Sequence, residues 1–227
     1  MNTRRGPLLA AALAVIALAP AARGATAEAG TPPAEFTATE SAYTVTVPPS
    51  AEAPGYKLSV TANPLQLTTR RGGQVVLATT ASGTSTPGSF DFHTSSGWQS
   101  ATSVHSAQWQ NGVLTLNVGT SDPADALSVQ ITPQPDRYRI QSTVRGTDAP
   151  DSTGMHYVMS SAGHWYGQGE ASTPDGGPYT RQPWPLDSGQ VADTGFGPSE
   201  YQMTDPFWFT QSSAGIWFNT GNVMAVS

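Results

Sequence analysis

From Phe36 onward the apolar residues of this chain recur at every second position, and after Ala27 no segment carries a 3.6-residue repeat. Alternation of this kind buries one face of an extended segment and leaves the other in water, whereas an amphipathic helix needs the longer period. Phe36 to Val47 alternates small polar with apolar residues, and Tyr56 to Ala62 does so again. Leu65 to Thr69 and Gln74 to Thr80 follow, separated by a turn over Arg70 to Gly73. Val104 to Gln110 and Val113 to Val118 flank Asn111-Gly112, a dipeptide that supplies the positive φ angles of a tight hairpin turn. Leu127 to Thr132 and Tyr138 to Val144 make another pair across a Pro-rich turn, while Thr84 to Ser100, rich in Gly, Ser and Thr, reads as loop. Short strands at even spacing predict an all-β fold, an antiparallel β-sandwich.

Composition narrows the functional classes. Among 227 residues there are 28 Thr and 23 Ser against 10 basic and 16 acidic side chains, so hydroxyls rather than ion pairs coat the surface. The chain has no cysteine, which excludes a disulfide framework, a thiolate metal cluster and a thiol nucleophile. A formal net charge of −6 and a single lysine, Lys57, argue against nucleic acid or an anionic membrane as partner, because phosphate binding needs clustered cations. Six Trp, seven Tyr and seven Phe are too many for a disordered chain.

Residues 1–27 read as an export signal of bacterial type. Arg4 and Arg5 precede an apolar run from Leu8 to Ala19, and the small residues Ala25-Thr26-Ala27 form an A-x-A cleavage site. The apolar run is too short to cross a ~30 Å hydrocarbon layer as a helix. A secreted product starting at Glu28 is therefore expected, with residues 28–35 a disordered lead-in and 36–227 the sandwich.

Beyond Arg145 the aromatic residues cluster: Trp165-Tyr166, Trp184, Phe196, Tyr201, Phe207-Trp208-Phe209 and Trp217-Phe218. Large rings of this kind mostly fill cores, and Phe207-Trp208-Phe209 with Ile216-Trp217-Phe218 read as a buried hairpin. Trp184, between two prolines, is the ring expected to be exposed. There is no G-x-S-x-G elbow, no H-E-x-x-H and no G-x-x-x-x-G-K. His93, His105, His156 and His164 are too scattered to name a metal site. Glu170, Asp175, Asp187, Asp193, Glu200 and Asp205 lie close in sequence, and spacing alone favours solvated loop charges over a glycosidase acid and base pair.

His164-Trp165-Tyr166-Gly167-Gln168-Gly169-Glu170 resembles the (F/Y)-G-x-G-E motif of family 31 glycoside hydrolases, which include α-glucosidases and α-xylosidases. Trp184-Pro185-Leu186-Asp187 resembles that family's W-N-x-D loop, with Pro185 in place of the usual Asn. Asp205-Pro206-Phe207-Trp208-Phe209 is similar to its Pro-Phe strand, and Ser213 to Thr220 to its S-x-G-x-G-V-F-x-N-T hairpin. The four stand in the family's order within about 65 residues.

This resemblance implies a galactose-mutarotase-like β-sandwich that precedes a (β/α)8 catalytic barrel. Both catalytic aspartates belong to the barrel, which a further ~250 residues would be needed to build, so no catalytic residue is expected here and the chain should be inactive alone. The family's W-N-x-D loop reaches over the barrel mouth, which makes Trp184 and Asp187 the expected substrate-binding pair for an α-glycoside. An aspartate accepts sugar hydroxyls and an indole offers a stacking face. Tyr166, Gly167, Gly169 and Glu170 are expected to be structural, with the Glu170 carboxylate fixing its loop. No metal or cofactor is expected, and neither nucleic acid nor membrane is an expected partner. Two readings from other classes stay open beside this one: a stand-alone carbohydrate-binding module and a surface or adhesion β-domain.

Overall fold

The computed structural model describes residues 13–17, 33–81, 88–146, 148–158, 165–167, 192–193, 207–210, 214–219 and 225–226. These residues form strands and turns, with no helix among them. One sheet is a five-stranded meander in chain order: β2 (Glu35–Ala38), β3 (Ala42–Val47), β4 (Tyr56–Ala62), β5 (Leu65–Arg71) and β6 (Gln74–Ala78). A ten-stranded sheet holds a second meander of β7 (Phe90–Thr94), β8 (Gly97–Gln110), β9 (Val113–Thr120), β10 (Ala126–Pro133) and β11 (Arg137–Arg145). Outside β7 lies β12 (Ser152–Met155). Beyond β11 come β1 (Leu13–Ala17), β16 (Gly215–Asn219), β15 (Phe207–Thr210) and β13 (Trp165–Gly167). A separate two-stranded ribbon pairs β14 (Ala192–Asp193) with β17 (Ala225–Val226). The strand pairings are antiparallel throughout.

The period-two pattern explains the layers. Tyr56, Leu58 and Val60 on β4 and Leu65 and Leu67 on β5 turn inward from one sheet. Leu114, Leu116 and Val118 on β9, Leu127, Val129 and Ile131 on β10, and Tyr138 and Ile140 on β11 turn inward from the other. All belong to one continuous buried cluster, so the molecule is the antiparallel sandwich that the alternation predicts.

Several hydroxyls inside this core are paired across the sheets. The Tyr56 hydroxyl donates to the Arg137 carbonyl at 2.6 Å and accepts from the Gln134 N–H at 3.3 Å. Tyr138 reaches the opposite way, its hydroxyl 2.6 Å from Thr69 Oγ1 on β5. The two phenol rings meet at 5.6 Å, tilted by 43°. Where the chain passes from β6 to β7, Thr79 Oγ1 lies 2.7 Å from Ser89 Oγ and accepts the Leu67 N–H at 2.8 Å, and Ser89 donates to the Leu65 and Thr80 carbonyls. Each buried hydroxyl thus has partners, as a low-dielectric interior requires.

Turn chemistry follows the sequence at its clearest points. Asn111 and Gly112 both take positive φ, 52° and 76°, and close the β8–β9 hairpin. β10 and β11 pair as expected across residues 134–136, with Ile131 opposite Ile140. Two expectations need correcting. Phe36 to Val47 is a hairpin rather than one strand: β2 and β3 fold back on each other at Thr39–Ser41. Thr39 makes that turn possible, because its Oγ1 accepts the Ala42 N–H and its own N–H donates to the Ala42 carbonyl. Such local side-chain bonds compete with continuous extension. The stretch expected as loop contains β7 and the start of β8, since Phe90 and Phe92 alternate with polar residues and bury in the core. Leu13–Ala17, inside the segment read as an export signal, pairs with Arg137–Gln141 on one side and Trp217–Asn219 on the other.

Burial pushes the Tyr56 and Tyr138 hydroxyls far above the ordinary phenol value of 10.0. Folding therefore holds them neutral where the unfolded chain ionises, so the stability they contribute is complete below about pH 10 and declines as pH rises beyond it. Urea unfolding should give a midpoint that falls above about pH 10. Tyr138→Phe should flatten that fall while costing about 1–3 kcal/mol at neutral pH, because Thr69 Oγ1 loses its partner inside the core. A midpoint independent of pH up to 11 in the unsubstituted chain would contradict this assignment.

Candidate functional site

Three of the segments singled out beyond Arg145, Trp165–Gly167, Phe207–Thr210 and Gly215–Asn219, come together at one edge of the ten-stranded sheet. In β15 and β16, Phe207 lies opposite Trp217, Trp208 opposite Ile216 and Phe209 opposite Gly215. β13 adds on the outside, with Trp165 opposite Thr210, Tyr166 opposite Phe209 and Gly167 opposite Trp208. Tyr166 and Gly167 of the glycine-rich motif therefore lie beside the Pro-Phe strand, which in turn pairs with the last hairpin strand. Hydrogen-bonded registry brings together residues that are some forty positions apart in the chain.

The β15–β16 hairpin is expected to be buried, and it is buried on one side only. Ala214 and Ile216 are 1% and 2% exposed, while Phe209 and Trp217 are 44% and 40% exposed. Alternation explains the split: Ile216 faces the sandwich core and its neighbour Trp217 faces outward. This corner thus presents aromatic surface away from the core. Of the other expected site residues, Gly169, Glu170, Trp184 and Asp187 lie outside the described residues.

The opposite edge of the same sheet carries a polar cluster that the sequence reading did not single out. On β7 the inward residues Phe90 and Phe92 turn Asp91 and His93 to the other face, where His93 is partly exposed and Asp91 is covered. Registry sets Ser152, His93 and Trp98 in one cross-strand row and Gly154, Asp91 and Ser100 in the next. His93 Nδ1 is 3.0 Å from both carboxylate oxygens of Asp151. His156 Nε2 is 2.8 Å from Asp91 Oδ2, and the Gly88 N–H donates to Asp91 Oδ1 at 3.1 Å. Ser95 donates to Asp148 Oδ2 at 2.6 Å. The His93 imidazole, followed by Ser152, holds the exposed Asp151 carboxyl below its ordinary value of 3.8. Asp91, His93 and Ser95 lie in the Thr84 to Ser100 stretch expected as loop, and their partners His156, Asp151 and Asp148 stand more than fifty positions further along the chain, so spacing does not reveal the pairs. The alternation of Phe90 and Phe92 was the signal available. Among the described residues no three His, Cys, Asp or Glu side chains are grouped to hold a metal ion.

A family model described as the myogenesis-regulating glycosidase N-terminal domain matches residues 50–227. The chain belongs to that family. The match begins in the connection between β3 and β4 and takes in both the aromatic corner and the polar edge. The sandwich is accordingly a glycosidase N-terminal domain. No curated protein and no solved structure matches the chain.

Proposed function

We propose that this domain is the substrate-pocket-supporting amino-terminal part of an exported glycoside hydrolase of the family 31 type, acting on α-glycosidic bonds. The observation that carries the reading is the match of a glycosidase N-terminal domain over residues 50–227. Its supports are the Tyr166-Gly167-Gln168-Gly169-Glu170, Trp184-Pro185-Leu186-Asp187 and Ser213 to Thr220 segments, which keep the order of that family's motifs. The half-exposed Phe209 and Trp217 beside β13 offer apolar surface for a downstream catalytic barrel to cover. In this reading the sandwich is of the galactose-mutarotase-like type. Trp184 stacks on the sugar, and the Asp187 carboxylate accepts its hydroxyls. Both residues stand on a Pro/Gly-rich connection, the kind of segment through which a rigid scaffold presents function.

Export follows from the Arg4-Arg5 head, the Leu8 to Ala19 apolar run and the Ala25-Thr26-Ala27 site. The amino-terminal mass of secreted protein should place the first residue at Glu28, and a retained Met1 would contradict this.

The pocket assignment is tested in the parent enzyme. Asp187→Ala should lower kcat/KM on an aryl α-glycoside by about tenfold to a hundredfold, or roughly 1.4–2.7 kcal/mol of transition-state stabilisation. Its melting temperature should stay unchanged, and Trp184→Ala should move in the same direction. Early melting of both variants, with normal turnover by the folded fraction, would show that the loop is structural and refute the assignment.

A further inference from the structure

The outer face of β12–β7–β8 bears a second set of groups suited to a sugar, at the edge of the sheet opposite β13. Trp98 is 64% exposed, the most open of the large apolar side chains described. It stands on β8 directly across from His93, and the two rings meet edge to face at 5.4 Å and 64°, so the imidazole does not stack over the indole. Behind it the exposed Asp151 carboxylate already receives an imidazole N–H from His93, whereas Asp91, paired with His156, is buried. A carboxylate has about four acceptor sites, which leaves lone pairs for further hydroxyl donors. Gly154 faces Asp91 across the β12–β7 pair, and a Cβ there would sit 3.6 Å from His156 Nε2.

The chemistry of this shelf selects among ligands. Its exposed acids are Asp148 and Asp151, and the hydrogen bonds and ion pairs of its described residues involve neither lysine nor arginine, so it disfavours phosphate and other anions. Its carboxylates are partnered and its single indole is not the multi-ring cage that holds a quaternary ammonium ion. What remains is a neutral polyhydroxyl ligand with an apolar face: the face lies on the ring, and the hydroxyls reach acceptors one and two strands away, each strand ~4.8 Å from the next.

We infer that Trp98, His93 and Asp151 form a carbohydrate-binding platform, distinct from the Trp184–Asp187 loop, that holds a pyranose unit of a neutral glycan. The inference rests on the glycosidase reading for the class of ligand only. Its residues, and the variants that probe them, are separate.

The test uses the full chain on an array of neutral α- and β-linked gluco-, galacto- and xylo-oligosaccharides, followed by calorimetric titration of the strongest binder. The platform predicts binding that Trp98→Ala weakens at least tenfold and Asp151→Asn at least threefold. Trp98→Phe should retain affinity within about fivefold, and Val75→Ala, an exposed position on β6 of the other sheet, should leave it unchanged. Because Trp98 is largely exposed, Trp98→Ala should keep the parent circular dichroism spectrum and melting temperature. Failure to bind any oligosaccharide on the array would overturn the platform, as would a Trp98→Ala affinity within twofold of the unsubstituted chain. Loss of binding in Asp187→Ala but not in Trp98→Ala would overturn it too, while leaving the pocket reading standing. A dimer that Trp98→Ala dissociates, without sugar binding, would assign the face to a second copy of the chain and likewise refute the proposal.

Discussion

Two phenolic hydroxyls buried between the sheets determine how everything else in this sandwich packs. Tyr56 crosses from β4 to the backbone at Arg137, and Tyr138, the next residue along β11, crosses back to Thr69 on β5. A buried polar group without a partner costs more than a made hydrogen bond returns, so this reciprocal pair penalises any sliding of one sheet over the other. The Thr79–Ser89 cluster does the same where the chain changes sheets. Between these two polar fasteners the aliphatic residues of β4, β5, β9, β10 and β11 fill the interior. Hydrophobic burial supplies the driving force, and the hydroxyl pairs supply the registry.

That registry extends along the long sheet in both directions. Towards one edge, β16, β15 and β13 set the glycine-rich motif beside the aromatic hairpin, with Phe209 and Trp217 turned outward. Towards the other, β12 and the β7–β8 hairpin align two Asp–His pairs and Trp98 on one face. Opposite edges of one sheet therefore carry different surfaces: an aromatic corner with Phe209 and Trp217, and a polar shelf with Trp98, His93 and Asp151. Each is an outer face made by the same alternation that builds the core.

Much of this was legible in the sequence, and the exceptions have physical causes. Alternation named the strands of both meanders, and Asn111-Gly112 located a turn that needs two positive φ angles. The β2–β3 hairpin was missed because Thr39 replaces the usual glycine signal with side-chain bonds to Ala42. β7 was missed because Ser, Thr and Gly surround its two inward phenylalanines, and composition outweighed a pattern only three residues long. The Asp–His pairs could not be read from spacing, since Asp151 faces His93 across 58 positions and only strand registry brings them together. For the aromatic hairpin, sequence gave the pairing but not the depth, because ring size says nothing about which side of a sheet is covered.

The central claim, that this domain helps to form a sugar pocket, is tested most directly by a structure of the parent enzyme bound to an uncleavable α-glycoside. The account predicts a hydroxyl of the bound sugar within hydrogen-bonding reach, roughly 2.5–3.0 Å, of the Asp187 carboxylate, with the Trp184 ring against the sugar's apolar face. A sugar seated in the active site with no atom of residues 165–219 in contact with it would contradict the claim.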